Sequence, residues 1–178
     1  PLYQAQNASC AIFVAEEYLG RALDTDALAA SLATCPTPGR FDVLQNEPLI
    51  LIDACHNPQS CENFVSSLDE INPNAALRPL LLTAALADKD VSGIVDVLVP
   101  AFPRIVVTQT ASDRAILAQD LAQLVLDKLE ELGRPSSDLV EVVPSVPDAV
   151  GRLTAAGEAF VAAGTITLAG EVAGIMRG

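Results

Sequence analysis

Short apolar runs alternate with amphipathic segments along most of the chain. Runs such as PLILIDAC at 48–55 are rich in Leu and Ile and are bounded by turn residues, which is typical of strands buried on both faces. The segments between them carry apolar residues at helical spacing. The predicted strands cover 48–55, 77–86, 102–110, 139–143 and 165–169; the predicted helices cover 58–70, 91–98, 114–132 and 147–163, with a short helical tail after the last strand.

Strands and helices that alternate with short connections indicate a parallel sheet covered by helices. The crossovers between parallel strands are then right-handed. We therefore predict an α/β fold with a doubly wound, mostly parallel, six-stranded Rossmann-like sheet and helices on both faces. In such sheets, ligands bind beyond the carboxyl ends of the strands.

Two helices are predicted before this alternation begins. The first covers 4–20 and ends at Gly20, a natural C-cap, and the second starts at the N-cap sequence Asp24-Thr25-Asp26 and runs to about Cys35. Pro36-Thr37-Pro38-Gly39 then breaks the helical pattern and favours an extended connector. We place a domain boundary there and expect residues 1–35 and 36–178 to belong to different domains.

The acidic charge balance of the chain argues against polyanionic binding partners. The formal net charge is −13, from 10 Lys and Arg against 23 Asp and Glu, which argues against binding nucleic acid or an anionic membrane. No apolar run approaches the roughly 18 residues of a membrane-spanning helix. The chain starts at Pro1 without Met or a signal peptide, so we expect it to have been trimmed.

The four cysteines show no disulfide framework spacing, and we expect reduced thiols in a cytoplasmic protein. Cys55, His56 and Cys61 lack the paired spacing of a zinc site, so no metal site is predicted.

The richest candidate site follows the predicted strand at 48–52. Asp53 precedes His56 by three residues, directly before a helix start, so both side chains are expected in one crevice. A carboxylate such as Asp53 can accept hydrogen bonds from both hydroxyls of a ribose. The His56 imidazole can donate to a phosphate or carboxylate oxygen. The competing interpretation is that Asp53 and Asn57 only cap the helix and that His56 fills the turn.

Further polar residues follow the other predicted strands. Asp88-Lys89-Asp90 is either part of a site or a solvated turn in which Asp90 is a helix N-cap. Arg40, after the connector, is either a solvated charge or a donor for an anion. The remaining strand-end positions are Thr108-Gln109-Thr110 and Gly170-Glu171.

Several motifs occur together in a specific order. TPGRF (37–41), PLILIDACHNP (48–58) and LADKD (86–90) resemble the C-terminal domain of folylpolyglutamate synthases and dihydrofolate synthases, whose pattern is P-G-R, an apolar strand, D-x-A-H-N-P and D-K-D. The opening YQAQNASCAI is similar to that family's H-Q-x-x-N-A-A-x-A helix, and GTITLAGE (164–171) resembles its terminal strand. Tyr3, Cys55 and Thr165 replace the usual His, Ala and Ser.

The resemblance implies an ATP-dependent ligase that adds L-glutamate to a folate or to dihydropteroate through an acyl phosphate. Residues 36–178 would be the Mur ligase-like C-terminal domain, and residues 1–35 the end of the central, ATP-binding domain. The P-loop and the magnesium ligands would lie in the larger N-terminal part of the enzyme, which would be a partner of this domain. The motif G-x-x-x-x-G-K-S/T does not occur here, so the chain alone is expected to be inactive.

The same resemblance assigns roles to four residues. Asn7 would contact the adenine, Arg40 and Asp53 would reach the nucleotide, and His56 would face the phosphate and the incoming glutamate as the catalytic residue.

Two other classes remain to be weighed against a ligase. A non-catalytic doubly wound binding or regulatory module would also carry acidic strand-end clusters, although Asp53, Thr83 and Lys89 do not fall in the order of a receiver domain. A dinucleotide oxidoreductase requires G-x-G-x-x-G after a strand, and the sequence contains no such motif.

Overall fold

The structure, a computed structural model, describes residues 1–134 and 138–178. These residues divide into two compact units, Pro1–Pro38 and Gly39–Gly178. No helix in them is long and apolar enough to cross a bilayer. The helices are α1 (Leu2–Leu19), α2 (Thr25–Thr34), α3 (Pro58–Ile71), α4 (Val91–Leu98), α5 (Ala118–Glu131), α6 (Val146–Ala155) and α7 (Ile166–Arg177), with 3-10 turns at Ala75–Leu77 and Val99–Ala101. The strands are β1 (Asp42–Asn46), β2 (Leu49–Ile52), β3 (Leu80–Thr83), β4 (Ile105–Val107), β5 (Val140–Val142) and β6 (Phe160–Ala163).

The first unit consists of α1 and α2. Gly20 ends α1 in the left-handed conformation, with φ of 63°, and the Asp24 carboxylate caps α2 by accepting the Ala27 N–H at 2.8 Å. Both caps confirm the prediction. No side chain of either helix is buried, so these 38 residues form no hydrophobic core of their own.

The second unit is built on the sheet, whose strands are ordered β1-β2-β6-β3-β4-β5. β1 pairs with β2 antiparallel, and all the other neighbours pair in parallel. The predicted doubly wound, mostly parallel, six-stranded fold is therefore confirmed. The sequence pattern gave bounds for only five strands. It marks no strand at β1, because β1 is a half-exposed edge strand without an apolar run.

Helices cover both faces of the sheet, and successive residues of the central strands point to opposite faces. In β6, Phe160 and Ala162 join the core beneath α6 and α7, whereas Val161 and Ala163 join the core beneath α3, α4 and α5. Burial on both faces explains why these strands read as continuous apolar runs.

The prediction was wrong near the C-terminus. The helix expected over 147–163 ends at Ala155, because Gly157 adopts a φ of 66° and its N–H bonds back to Thr154. The last strand is β6 rather than 165–169. Thr165 is the N-cap of α7, since its hydroxyl accepts the Thr167 N–H at 3.3 Å. Glu171 consequently lies within a helix and not at a strand end.

The four cysteines are free thiols in two different environments. Cys10 and Cys35 are exposed, whereas Cys55 and Cys61 are buried. A hydrogen bond with the Cys61 thiol, together with burial, raises the pKa of the Cys55 thiol well above its ordinary value. Cys55 is therefore a protonated, unreactive thiol at neutral pH.

We expect Ellman titration under anaerobic conditions to find two rapidly reacting thiols in the native protein and four after denaturation, because reagent reaches only Cys10 and Cys35 in the folded chain. A total of two in denaturant would reveal a disulfide and contradict this assignment.

Gly164 lies where β6 ends beside β3. Its φ is 121°, and a Cβ built there would lie 2.7 Å from both the Ala84 carbonyl oxygen and the Thr83 hydroxyl. The Thr83 hydroxyl in turn donates to the Ala163 carbonyl at 2.9 Å. A glycine is therefore required for the carboxyl ends of β3 and β6 to approach this closely.

Gly164→Ala is expected to lower the free energy of unfolding by roughly 2–4 kcal/mol, because both the backbone angle and the steric contact oppose a side chain. Urea denaturation measures the change. The matched control is Gly151→Ala in α6, where the added Cβ meets nothing within 4 Å. This control should be neutral or stabilising by up to about 1 kcal/mol. Equal effects of the two substitutions would contradict the steric argument.

Candidate functional site

The loops after β2, β6 and β3 meet at one edge of the sheet. The chain runs from β2 through β3 and β4 to β5 with α3, α4 and α5 on one face, and it returns through α6 to place β6 between β2 and β3. The helices therefore change face at β6. Such a switch point opens a crevice at the carboxyl ends of the strands, where open α/β sheets bind ligands.

Asp53 is buried at the end of β2, with 2% of its surface exposed. Its Oδ2 accepts the Phe41 N–H at 2.9 Å, and its Oδ1 accepts the Cys55 N–H at 2.9 Å. The Ala54 N–H adds a bond to the Gly39 carbonyl at 2.8 Å. Asp53 thus ties the turn that precedes β1 to the end of β2.

This turn carries Arg40 at its centre, between two residues in the left-handed region. Gly39 has a φ of 68° and Phe41 a φ of 51°, a conformation that costs a residue with a side chain roughly 1–3 kcal/mol. The Phe41 N–H bond to Asp53 and the contact between the Phe41 and Phe64 rings, with centroids 5.7 Å apart, hold the turn in place. The half-buried Arg40 is consequently presented on a fixed backbone, close to Asp53.

His56 is half-buried in the loop between β2 and α3. Its Nδ1 lies 3.0 Å from the Ala54 carbonyl oxygen, so a proton on Nδ1 satisfies that carbonyl and leaves Nε2 as an acceptor. Asn57 is the N-cap of α3, since its Oδ1 accepts the Ser60 N–H at 2.9 Å in a capping box. The cap predicted at Asn57 is confirmed. The N-cap of α3 is Asn57 and not Asp53, whose carboxylate accepts the Phe41 and Cys55 N–H groups.

His56 lines a cleft of about 220 Å³ together with groups from three other loops. The lining residues are His56, Leu86, Lys89, Arg114, Thr165, Ile166 and Thr167. Lys89 and Arg114 make the cleft basic although the chain as a whole is acidic. Thr165 and Thr167 bring the positive end of the α7 dipole to the same place. The cleft can therefore bind an anionic oxygen group.

Sequence reasoning located part of this cleft. Asp90 caps α4 by accepting the Gly93 N–H at 2.9 Å, as predicted, while its neighbour Lys89 reaches the cleft. The sequence pattern predicts Arg114 at the start of a helix, but α5 begins only at Ala118 and Arg114 lies in the loop after β4. Its position beyond a strand end was the signal that could have identified it.

The four predicted site residues fall into two groups. Asp53, His56 and Arg40 belong to the unit Gly39–Gly178. Asn7 belongs to the other unit, where it is exposed on α1 and its Nδ2 donates to the Gln4 side chain at 3.0 Å. Among the described residues, no group of three or more His, Cys, Asp and Glu side chains is arranged to hold a metal ion.

Comparisons with known proteins show which family the chain resembles. The chain is 34% identical to the dihydrofolate synthase/folylpolyglutamate synthase of Mycobacterium tuberculosis over 96% of its own length and 36% of that protein. The chain is also 30% identical to a probable bifunctional folylpolyglutamate synthase/dihydropteroate synthase of Halobacterium salinarum. That match covers 94% of this chain and 19% of the relative. The chain thus spans about a third or less of these relatives.

The solved structures give the same result. A crystal structure of Mycobacterium tuberculosis folylpolyglutamate synthase complexed with ADP and AMPPCP superimposes with a TM-score of 0.86 and 28% identity, over 98% of this chain and 40% of that one. The resemblance predicted from the motifs is confirmed. The family model described as Mur ligase, glutamate ligase domain matches residues 39–168, which include the whole sheet, and the chain therefore belongs to the family of Mur ligase glutamate ligase domains.

Proposed function

We propose that this chain is the C-terminal part of an ATP-dependent ligase that joins L-glutamate to folates. The observation that carries the proposal is the strand-end crevice, in which Asp53 and a basic cleft lie on the same edge of a Mur ligase-type sheet. The names of its relatives, folylpolyglutamate and dihydrofolate synthases, supply the substrate class.

The reaction proceeds in three steps. ATP phosphorylates the terminal carboxylate of the folate or dihydropteroate and leaves as ADP. The amine of L-glutamate then attacks the acyl phosphate, the new amide bond forms as the C–O bond to phosphate breaks, and inorganic phosphate leaves. The amine loses its proton during the attack.

Asp53 and Arg40 act on the nucleotide in this proposal. A carboxylate has about four lone-pair sites, so the two backbone N–H bonds of Asp53 are compatible with hydrogen bonds from ribose hydroxyls. The Arg40 guanidinium, held on its fixed turn, donates to a phosphate oxygen. Asn7 contacts the adenine from the first unit, whose two helices bury no side chains of their own and require the remainder of the ATP-binding domain.

His56 and the basic cleft act on the second substrate. A carboxylate of L-glutamate binds between Lys89 and the N-terminus of α7, with the Thr165 and Thr167 hydroxyls as donors. His56 faces the acyl phosphate and the amine, where Nε2 can accept the proton that the amine loses.

Magnesium, which the family resemblance implies, has no ligand set among the described residues. We accordingly place its ligands in the larger N-terminal part of the enzyme and assign no step on this chain to the metal.

The chain of 178 residues is expected to fold but not to turn over substrate, because its sequence contains no phosphate-binding loop to stabilise the transferred phosphoryl group. ADP formation in the presence of ATP, a reduced folate and L-glutamate is the measurement. As a positive control, the chain is joined to a P-loop domain of its own gene or of a relative, which should produce glutamate-dependent ADP formation. Turnover by the isolated chain, or none by the joined enzyme, would contradict the proposal.

In the joined enzyme, Asp53→Ala is expected to raise the ATP KM by about 10- to 150-fold, since charge-assisted hydrogen bonds contribute roughly 1.5–3 kcal/mol. The wild type should discriminate against 2′-deoxy-ATP, and the variant should lose this discrimination. The folate KM should stay unchanged. The melting midpoint should also fall, because two backbone N–H groups lose their acceptor.

Asn57→Ala is the control for the stability effect, because it removes a helix cap at a cost of about 1 kcal/mol and leaves the proposed ribose contact intact. Its ATP KM should equal that of the wild type. If Asp53→Ala lowers the midpoint with an unchanged ATP KM, Asp53 is only a structural residue and the ribose contact is ruled out.

A further inference from the structure

Two loops at the rim of the cleft are joined through their backbones. The Ala87 N–H donates to the Arg114 carbonyl at 2.8 Å, and the Ile116 N–H donates to the Ala85 carbonyl at 3.1 Å. The backbone of Arg114 is therefore fixed by contacts that do not involve its side chain. The Arg114 side chain is 61% exposed, and its guanidinium is not needed to hold the loop.

The Asp88 carboxylate lies between two cations of the cleft. Its Oδ2 accepts a hydrogen bond from Arg114 Nη1 at 3.0 Å, whereas Lys89 Nζ lies 3.8 Å from the same oxygen. The carboxylate thus bonds directly to the arginine and only loosely to the lysine. Arg114, Lys89 and Asp88 together carry one net positive charge.

We propose that Arg114 is a positioning residue of the cleft: it engages Asp88, so that the Lys89 ammonium remains directed at the carboxylate of the amino-acid substrate. The inference rests on the proposed function, in which this cleft takes L-glutamate. Without the guanidinium, Asp88 is the nearest partner for Lys89, and the pair they form cancels the charge that attracts the substrate.

The cleft contains a built-in probe, because His56 is the single histidine of the chain. The imidazole ring of His56 gives one set of NMR signals. The change in their chemical shifts during titration with L-glutamate yields the Kd of L-glutamate for the cleft in the 178-residue chain. Arg114→Met should raise this Kd by about fivefold, a modest factor because the ion pairs are partly exposed. Arg114→Lys, which keeps the charge, should stay within about twofold of the wild type.

The deciding variant is Arg114→Met combined with Asp88→Asn, which removes the competing carboxylate as well. The proposal requires it to bind L-glutamate within about twofold of the wild type. Arg104→Met is the matched control, because Arg104 forms a similar exposed pair with Glu158, 3.1 Å apart and outside the lining of the cleft. It should leave the Kd unchanged.

Three results would overturn the proposal. If the double variant binds as weakly as Arg114→Met, then Arg114 contacts the substrate itself or supports the loop. If Arg114→Met binds like the wild type, then Arg114 does not influence the cleft. If L-glutamate leaves the chemical shifts of His56 unchanged in the wild type, then the cleft does not bind a carboxylate. Each of these results is independent of whether the joined enzyme forms ADP, the measurement that tests the proposed ligase activity.

Discussion

The pairing of β6 with both β2 and β3 is the constraint on which the rest of the molecule depends. β6 is the last strand in the chain, yet it joins the β1–β2 hairpin to the β3–β4–β5 half of the sheet. The bond from the Asp53 N–H to the Ala162 carbonyl, at 2.9 Å, extends this pairing into the loop that carries the site. Contacts of such large sequence separation cost loop-closure entropy, and the fold and the crevice both depend on them.

Much of the fold could be predicted from the pattern of apolar residues, because strands buried on both faces form runs that few other structures produce. The pattern failed at residues 156–169, where a helix end, β6 and the start of α7 all consist of small and apolar residues. The sequence alone does not distinguish the role of Gly157 from that of Gly164. Gly157 ends a helix, whereas Gly164 permits two strand ends to approach, and only the tertiary contact distinguishes them.

The candidate site was predictable to the extent that it follows local rules. Asp53, His56 and Asn57 lie between a strand and a helix, and this position alone made them candidates. The bond between Asp53 and Phe41 could not be found in this way, because its donor is a backbone N–H twelve residues upstream, and every residue except proline carries that group. Arg114 and Thr165 reach the cleft from distant segments, through the strand order rather than through any spacing in the sequence.

The contrast between the acidic surface and the basic cleft has a kinetic consequence. A net charge of −13 repels an approaching anion at long range, whereas the net positive charge around the cleft attracts it only within about one Debye length, roughly 8–10 Å at physiological ionic strength. Added salt screens the long-range repulsion more strongly than the short contacts inside the cleft. The association rate of an anionic ligand should therefore rise with moderate salt, which is the opposite of the steering found when an enzyme and its ligand carry opposite charges.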